Sequence, residues 1–396
     1  MSASSILVIG HRNPDTDAIA AAVGYAWVLN AQGGESYLAA RTGKINPQTA
    51  FALDHFGIEA PTFVADVWGR VADLSEALPS LHRGQTLLDA CRMIAETRRP
   101  APVLSDGGSP VGLLSGADLF GSLAEALSTA SVLALARELE RPVETAIDAA
   151  GLLLHPDDHI RDVIGGALRT NQDDFLVVDQ AGKYVGLCRK TGLLAPARRK
   201  VVMVDHNEPG QAVPGLEDAD LIEVLDHHRL GNIPTTMPIR FHVDPVGSCS
   251  TLVAERGFEA QGTVPDKIAA LLLCGILSDT LIFRSPTTTP RDQAAGQRLA
   301  VMAGLVPHDA DEDTIMAALR DLGQKLLAAG EGLGSQTADE LISNDLKYFE
   351  ANGASVAIAQ VEVANLRELA PRLDDIRGAL KRLVEAKNLA LAMLMV

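Results

Sequence analysis

Three short apolar runs in this chain each end in a group of acidic and histidine side chains. The groups are His11, Asp15 and Asp17 after "SILVIG", Asp205 after "KVVMV", and Asp226, His227 and His228 after "DLIEVL". Short runs rich in β-branched residues are typical of strands buried in a parallel sheet, and an alanine-rich helical pattern over 18–29 follows the first run. We therefore predict an α/β fold with these polar groups at the carboxyl ends of its strands, where open α/β sheets bind ligands.

Composition limits the classes of protein and partner. The 396 residues carry 34 basic and 51 acidic side chains, a formal charge of -17, which opposes binding to a phosphate backbone. The four cysteines lie in apolar surroundings without C-x-x-C spacing, as expected of reduced residues in the cytoplasm. Apolar runs such as "IAALLLCGIL" are shorter than the ~20 residues that span a bilayer. We predict a cytoplasmic protein that binds neither nucleic acid nor membrane.

The polar groups at the strand ends have the composition of a metal site. Taken singly, Asp15 is explained as a helix cap, Asp17 as a complement to the helix dipole and His11 as a loop residue. We expect Asp279 in "GILSDT" to share the strand-end placement. So many carboxylates and imidazoles would repel one another without a cation. Mixed imidazole and carboxylate donors favour an ion such as Mn²⁺, and the excess of aspartates predicts two metals that activate water against a phosphoester or phosphoanhydride.

The middle of the chain, 67–198, contains an internal repeat. "LH" at 81–82 returns at 154–155, and "SPVGLLSGADL" is echoed by "KYVGLCRKTGL". The two copies resemble paired CBS modules, which often bind adenine nucleotides; the other interpretation is two unrelated pieces of the main fold. The resemblance implies that Ser115 and Asp118 hold ribose and phosphate. Arg189 and Gly192 stand at the equivalent places, so we expect one nucleotide per pair.

The motifs "GHRNPDTDAI", "VDHNE", "VLDHHRLGN", "DPVGSCST" and "GILSDTLIFRSPT" resemble, in this order, the family II inorganic pyrophosphatases of the DHH superfamily. The resemblance covers 1–66 and 199–396, as in the branch of the family that contains CBS modules. It implies a DHH catalytic domain with a parallel sheet at 1–66 and 199–306, a tandem CBS insert at 67–198, and a smaller α/β substrate-binding domain at 307–396. The family's C-terminal Ser-Arg-Lys-Lys stretch is missing after Val396, so we expect an incomplete C-terminal domain and a weakly active chain.

The resemblance also implies roles for individual residues. His11 and Asp15 would bind one metal, Asp17, His227 and Asp279 would bind the second, and Asp205 would bridge them. His228 resembles a substrate-facing histidine that Asp226 orients. Lys347 in "LISNDLKYF" falls where the family has a lysine that grips phosphate; without the family it would be interpreted as an exposed helix lysine. His206 is left out of the site, because its side chain should point to the opposite face of the strand.

These motifs predict pyrophosphate as substrate and two or more Mn²⁺ or Co²⁺ ions as cofactors, with Mg²⁺ accompanying the substrate. An adenine nucleotide, AMP, ADP or ATP, is the predicted regulator, and a homodimer is the expected assembly. Two alternatives remain. One is a DHH phosphodiesterase acting on short or cyclic oligonucleotides, although the Gly-Gly-Gly-His run of such relatives is missing from this sequence. The other is a non-catalytic adenylate-sensing protein in which the CBS-like pair is the working part.

Overall fold

The computed structural model describes residues 5–128, 131–330, 337–343, 346–351, 354–361 and 369–396. Within them the strands are β1 Ile6–Ile9, β2 Tyr37–Arg41, β3 Thr62–Phe63, β4 Leu81–His82, β5 Ala101–Leu104, β6 Pro110–Leu114, β7 Asp148–Ala149, β8 Leu153–Leu154, β9 Asp174–Val178, β10 Tyr184–Arg189, β11 Lys200–Val204, β12 Asp220–Asp226, β13 Arg240–Val243, β14 Leu346–Ala351, β15 Ala354–Gln360 and β16 Leu391–Met395. The α-helices are α1 Thr16–Gln32, α2 Pro47–His55, α3 Leu87–Thr97, α4 Gly116–Leu127, α5 Val132–Leu139, α6 Ile160–Leu168, α7 Lys190–Leu194, α8 Cys249–Gln261, α9 Asp266–Asp279, α10 Pro290–Met302, α11 Glu312–Gly330, α12 Ala338–Ser343 and α13 Leu373–Lys387.

The chain forms two compact units. One contains residues 1–66, 200–216 and 220–396, and the other contains residues 67–199 and 217–219. The second unit thus interrupts the first in sequence. We call the second unit the insert.

A six-stranded parallel sheet forms the centre of the first unit, in the order β13-β12-β11-β1-β2-β3. Strands β1 and β11 are parallel neighbours, with Val8 opposite Val202, and β12 lies next to β11. Because parallel strands present their carboxyl ends at one edge, the residues after β1, β11 and β12 meet there. This confirms the predicted parallel α/β arrangement.

Helix α9 corrects one expectation. Asp279 is the last residue of this helix and does not follow a strand. All nine residues from Ala269 to Leu277 are buried, so the helix has no polar stripe and its sequence looks like a buried strand. A continuous apolar run does not distinguish the two, because the 3.6-residue period is visible only when one face is exposed. Helices α1, α8 and α9 pack against one another, and their apolar side chains share one core with the sheet.

The region after α11 forms a smaller sheet in the order β14-β15-β16, packed with α12 and α13. β14 and β15 are antiparallel, whereas β15 and β16 are parallel. Strand β16 lies at an edge of this sheet and has alternately exposed and half-buried side chains. A small α/β region therefore follows the first one, as expected.

The insert contains the predicted repeat. In the first copy β4 pairs parallel with β5, and β5 pairs antiparallel with β6. In the second copy β8, β9 and β10 pair in the same way. The two copies also match residue by residue, since Leu81 lies opposite Val103 and Leu154 lies opposite Val177. Each copy encloses a small apolar core of its own.

No helix among the described residues is long and apolar enough to cross a membrane. All four cysteines are free thiols, and three of them are buried.

Candidate functional site

The carboxyl ends of β1, β11 and β12 bring together groups of potential metal ligands. The groups are His11, Asp15 and Asp205; Asp17, Asp205, His227 and Asp279; and Asp205, Asp226, His227 and His228. Within each group the candidate ligand atoms lie within 4.8 Å of one another. Asp205 belongs to all three, because β11 lies between β1 and β12 in the sheet.

The two carboxylate oxygens of Asp205 face different histidines. Oδ2 lies 3.5 Å from Nε2 of His11, and Oδ1 lies 3.2 Å from Nε2 of His227. The Nε2 atom of His11 is also 3.4 Å from Asp15, and that of His227 is 3.7 Å from Asp279. One carboxylate thus stands between two clusters of donors.

The left-handed backbone conformation of Asp205, directly after β11, sets the direction of this carboxylate. Asp205 has φ 62°, a conformation that aspartate adopts more readily than most residues, and its amide donates to the carbonyl of Leu225 at 3.0 Å. The side chain is 1% exposed. This conformation therefore directs a buried carboxylate toward the sheet edge.

The N-terminus of α8 holds Asp17. Oδ1 accepts from the hydroxyls of Ser248 (2.8 Å) and Ser250 (2.5 Å) and from the amide of Ser250, while Oδ2 accepts from the amide of Cys249 at 2.6 Å. Anions are stabilised at helix N-termini, where amides have no intrahelical partner. Asp17 is thereby held with Oδ2 facing His227 at 3.9 Å.

The adjacent histidines His227 and His228 have different environments. The side chain of His227 is 9% exposed and its Nδ1 pairs with the carbonyl of Val246 at 3.0 Å, which leaves Nε2 for the aspartates. The side chain of His228 is 52% exposed, and its Nδ1 pairs with Oδ1 of buried Asp226 at 2.9 Å. His228 lines a cleft of about 880 Å³, together with His11, Asp15 and Asp205. The two rings therefore face different surroundings.

The pKa shifts express how strongly the carboxylates crowd one another. Burial, followed by the charge of Asp205, raises the pKa of Asp17 to about 6. Burial, followed by the charges of Asp17, Asp15 and Asp205, raises the pKa of Asp279 well above its usual value. Burial would lower the pKa of His227, but the neighbouring Asp205 outweighs it and raises this pKa to about 10. The protein therefore concentrates negative charge that calls for a compensating cation.

The donor set fits divalent metal ions. Both oxygens of Asp205 and Nε2 of His227 are buried and have no hydrogen-bond partner among the described residues. Buried polar atoms are rarely left without a partner, and three of them converge here with further carboxylates. Imidazole and carboxylate ligands with no thiolate suit Mn²⁺, Co²⁺ and similar ions. All six sequence-predicted metal ligands are brought together at this edge.

Three cationic residues line the cleft beside His228. They are Arg12, which follows His11, Arg229, which follows His228, and Lys347 on β14. Lys347 lies on an exposed strand and not on a helix, so the helix-lysine alternative is wrong. An anion in this cleft would meet both the metal-ligand edge and these cations.

Comparison with known proteins agrees with this architecture. The N-terminal domain of the DHH family matches residues 5–276, and the DHHA2 domain matches residues 324–396. The chain belongs to the DHH family. This DHH-family chain is 28% identical to a cobalt-dependent inorganic pyrophosphatase of Clostridium perfringens, over 98% of the chain and 88% of that relative. It is 36% identical to a manganese-dependent inorganic pyrophosphatase of Methanothrix thermoacetophila, over 50% of the chain and 60% of that relative.

One solved structure, of a Methanococcus jannaschii protein assigned to the family II inorganic pyrophosphatases, covers 98% of this chain. The chain covers 81% of that structure, with a TM-score of 0.54 and 23% sequence identity. This likeness shows a shared DHH fold.

In the insert, Ser115 and Asp118 form a capping box at the start of α4. The hydroxyl and amide of Ser115 donate to Asp118 at 2.5 and 2.9 Å, and the amide of Asp118 donates back to Ser115 at 3.2 Å. At the equivalent place Arg189 precedes α7 without a side-chain cap. Helix capping thus explains both residues without a ligand, and the nucleotide site stays a prediction.

Some residues of this DHH-family site were missed by sequence reasoning. They are Arg12, Asn207, Arg229, Ser248 and Ser250. The two serines could have been found as a capping signal before an apolar helix, but their acceptor is 231 and 233 residues away in sequence. His206 is buried; its Nδ1 pairs with the carbonyl of Val204, two residues back along the chain.

Proposed function

We propose that this chain is a divalent-metal-dependent inorganic pyrophosphatase that hydrolyses pyrophosphate to two phosphates. The observation that carries the proposal is the placement of Asp205 between two clusters of donors at the edge of a cleft with cationic residues. The names of the curated relatives support the same reaction.

We assign His11 and Asp15 to one metal and Asp17, His227 and Asp279 to the other, with Asp205 as the shared ligand. Two such ions would supply an activated water at neutral pH and neutralise phosphate oxygens during an in-line displacement. The assignment agrees with the distances and with the unpartnered atoms of Asp205 and His227.

The protein's own residues act on the substrate from the cleft. Hydrogen bonding to Asp226 raises the pKa of His228, so its ring is suited to donate a proton from Nε2 to a phosphoryl oxygen. Asp226 is buried and orients that ring. Lys347, with Arg12 and Arg229, would attract and hold the strongly anionic substrate.

The two histidines provide a test of these roles. His227→Ala should lower metal affinity, whereas His228→Ala should keep the metals and lower kcat by about 10²–10⁴-fold. Metal content should be titrated beside the rate. The assignment is wrong if His228→Ala removes a metal or hardly changes the rate.

The reaction itself is tested by phosphate release from pyrophosphate with Mn²⁺ or Co²⁺, beside a dinucleotide substrate. Cleavage of the dinucleotide alone would favour the phosphodiesterase alternative. Adenine-nucleotide binding without hydrolysis of either compound, at saturating Mn²⁺, would favour an adenylate sensor.

We further propose that the insert is a CBS pair that binds an adenine nucleotide through Ser115 and Asp118. Asp118→Ala should weaken nucleotide binding and leave metal binding intact. Asp89→Ala is the matched control, because Thr86 and Asp89 form the same capping box on α3. Loss of nucleotide affinity from substitutions at Gly192, with none at Asp118, would contradict the proposal.

A further inference from the structure

Asn207 is a buried amide at the loop after β11. Its side chain is held by three hydrogen bonds to residues 226–231, which begin at the last residue of β12 and which we call the 226–231 turn. Nδ2 donates to Oδ2 of Asp226 and, at 3.0 Å, to the carbonyl of Arg229. Oδ1 accepts from the amide of Gly231. The residue is 1% exposed, and this one side chain joins the loops of two adjacent strands.

Asp226 continues the same chain of hydrogen bonds on its other oxygen. Oδ1 accepts from the amides of His227 and His228 at 2.7 and 3.2 Å, and it pairs with Nδ1 of His228 at 2.9 Å. A carboxylate with one oxygen on the histidines and the other on Asn207 cannot rotate without breaking several of these bonds. The orientation of His228 therefore depends on Asn207 through Asp226.

The close approach of Gly231 supports the same arrangement. A Cβ atom at position 231 would lie 2.9 Å from two atoms of Asn207, its side-chain Oδ1 and its backbone oxygen. It would also lie 2.7 Å from Cγ of Glu208. Contacts this short are not tolerated, so the position requires glycine for Asn207 to reach the amide. Asn207 and Gly231 thus form two halves of one contact, which we call the Asn207 clamp.

We propose that Asn207 is a positioning residue for catalysis, one that acts through the 226–231 turn. The clamp holds the turn against the β11 loop, so that His228 and Arg229 keep a defined position beside Asp205 in the cleft. None of the three bonds of the Asn207 side chain goes to one of the six residues that we assign to the two metals. The clamp should therefore affect the rate more than metal content. This inference rests on the proposed pyrophosphatase function.

The first test is Asn207→Ala in the full chain loaded with Mn²⁺. We expect kcat for pyrophosphate to fall by about 10–100-fold, because misplacement by about 1 Å costs up to about 10²-fold, while two metals stay bound. Asn30→Ala is the matched control, since Asn30 also makes two backbone hydrogen bonds, both to Tyr37. Tyr37 is the first residue of β2, so this contact lies at the amino ends of the parallel strands, away from the metal ligands at their carboxyl ends. The control should keep full kcat.

Gly231→Ala tests the clamp from its other side. We expect the same fall in kcat, and we expect the double variant to be little worse than either single one, because both changes remove one contact. Multiplicative effects on kcat would overturn the inference. So would an unchanged kcat in folded Asn207→Ala, or loss of a metal from it. If Asn207→Ala does not fold, Asn207→Ser and Gly231→Ala carry the test.

Amide hydrogen exchange provides a readout that does not depend on activity. In Asn207→Ala the amides of His228 and Gly231 should exchange at least about tenfold faster than in the parent. Local opening of this segment costs less free energy in the variant, because the hydrogen bonds of the clamp are already missing. Unchanged exchange at Gly231 would contradict the clamp. If the parent chain does not hydrolyse pyrophosphate, the proposed function fails, and exchange still decides whether the clamp exists.

Discussion

Asp205 has three features, each of which by itself destabilises the folded state. It is buried, it has a left-handed backbone conformation, and its oxygens have no hydrogen-bond partner among the described residues. A residue of this kind persists only where the surroundings hold it in place and where a ligand gains from it. Those costs make Asp205 the most informative position for testing the metal assignment.

We predict that Asp205→Asn lowers the Mn²⁺ affinity of both metal sites by more than about 100-fold. Removing a residue that only hydrogen-bonds to a metal ligand already lowers metal affinity by about 10–100-fold. Calorimetric titration with Mn²⁺ would measure both affinities. Asp244→Asn is the control, since Asp244 also follows a parallel strand, β13, but its carboxylate pairs with Arg291 at 2.9 Å. Binding of two ions with unchanged affinities would show that Asp205 is not shared.

Gly275 allows the side chains of Asp17 and Ser250 to pack closely against α9. A Cβ atom there would collide with the hydroxyl of Ser250 and lie 2.8 Å from Oδ1 of Asp17. We predict that Gly275→Ala lowers Mn²⁺ affinity and the free energy of unfolding, the latter by about 1–3 kcal/mol, as overpacking usually does. Urea unfolding and metal titration check this.

Gly378→Ala is the control for Gly275, because Gly378 lies inside α13 with only a flexible arginine tip near it, at 3.5 Å. Replacing a glycine by alanine inside a helix, where there is space for the methyl group, should raise the free energy of unfolding by about 0.5–1 kcal/mol. Equal effects of the two substitutions would mean that Gly275 has no special role.

At the scale of elements, a buried ion pair joins the two copies of the insert. Arg99, after α3 in the first copy, donates through Nε and Nη2 to Oδ1 of Asp174 in β9, at 2.9 and 2.6 Å. Its Nη1 donates to Glu76 at 2.7 Å. The side chains of Arg99 and Asp174 are 3% and 11% exposed, so removing one leaves a buried charge.

We predict that Arg99→Ala destabilises the insert by about 3–5 kcal/mol, the usual cost of breaking a buried ion pair. Arg92→Ala should cost less than about 0.5 kcal/mol, because Arg92 is 71% exposed and makes only a 3.6 Å pair with Asp89. Unfolding monitored by calorimetry would compare them. Similar melting of the two variants would show that the copies do not depend on this pair.

At the scale of the whole molecule, all proposed metal ligands lie in the unit formed by 1–66, 200–216 and 220–396. We predict that Mn²⁺ at a hundred times its Kd stabilises that unit by about 2.7 kcal/mol for each bound ion, because a ligand that binds only the folded state stabilises it by mass action. Calorimetry with Mn²⁺ and with a chelator should move the melting of this unit and leave that of the insert in place. The Arg99→Ala variant identifies which transition belongs to the insert. A chelator that shifts only the insert would contradict the assignment of the ligands.

The periodic and local features of this protein can be predicted from its amino-acid sequence alone. The apolar runs predicted buried parallel strands, Asp15 was predicted as a helix cap and does accept from the amide of Ala18, and the repeat in the insert predicted two equally built copies. These features follow from side-chain period and capping chemistry, which act over a few residues. The resemblance to a known family, by contrast, supplied the roles of the histidines and of Lys347, which stay predictions.

Which residues come into contact depends on how the elements pack in three dimensions. Asp279 reaches His227 from the end of a helix, Ser248 and Ser250 hold Asp17 from more than two hundred residues away, and Asn207 joins the loops of two strands. No periodic pattern or short motif in the sequence predicts these contacts, because each depends on how whole elements pack. The sequence could therefore show that donors gather at strand ends, while the packing of β11, β12, α8 and α9 decided how each donor is held.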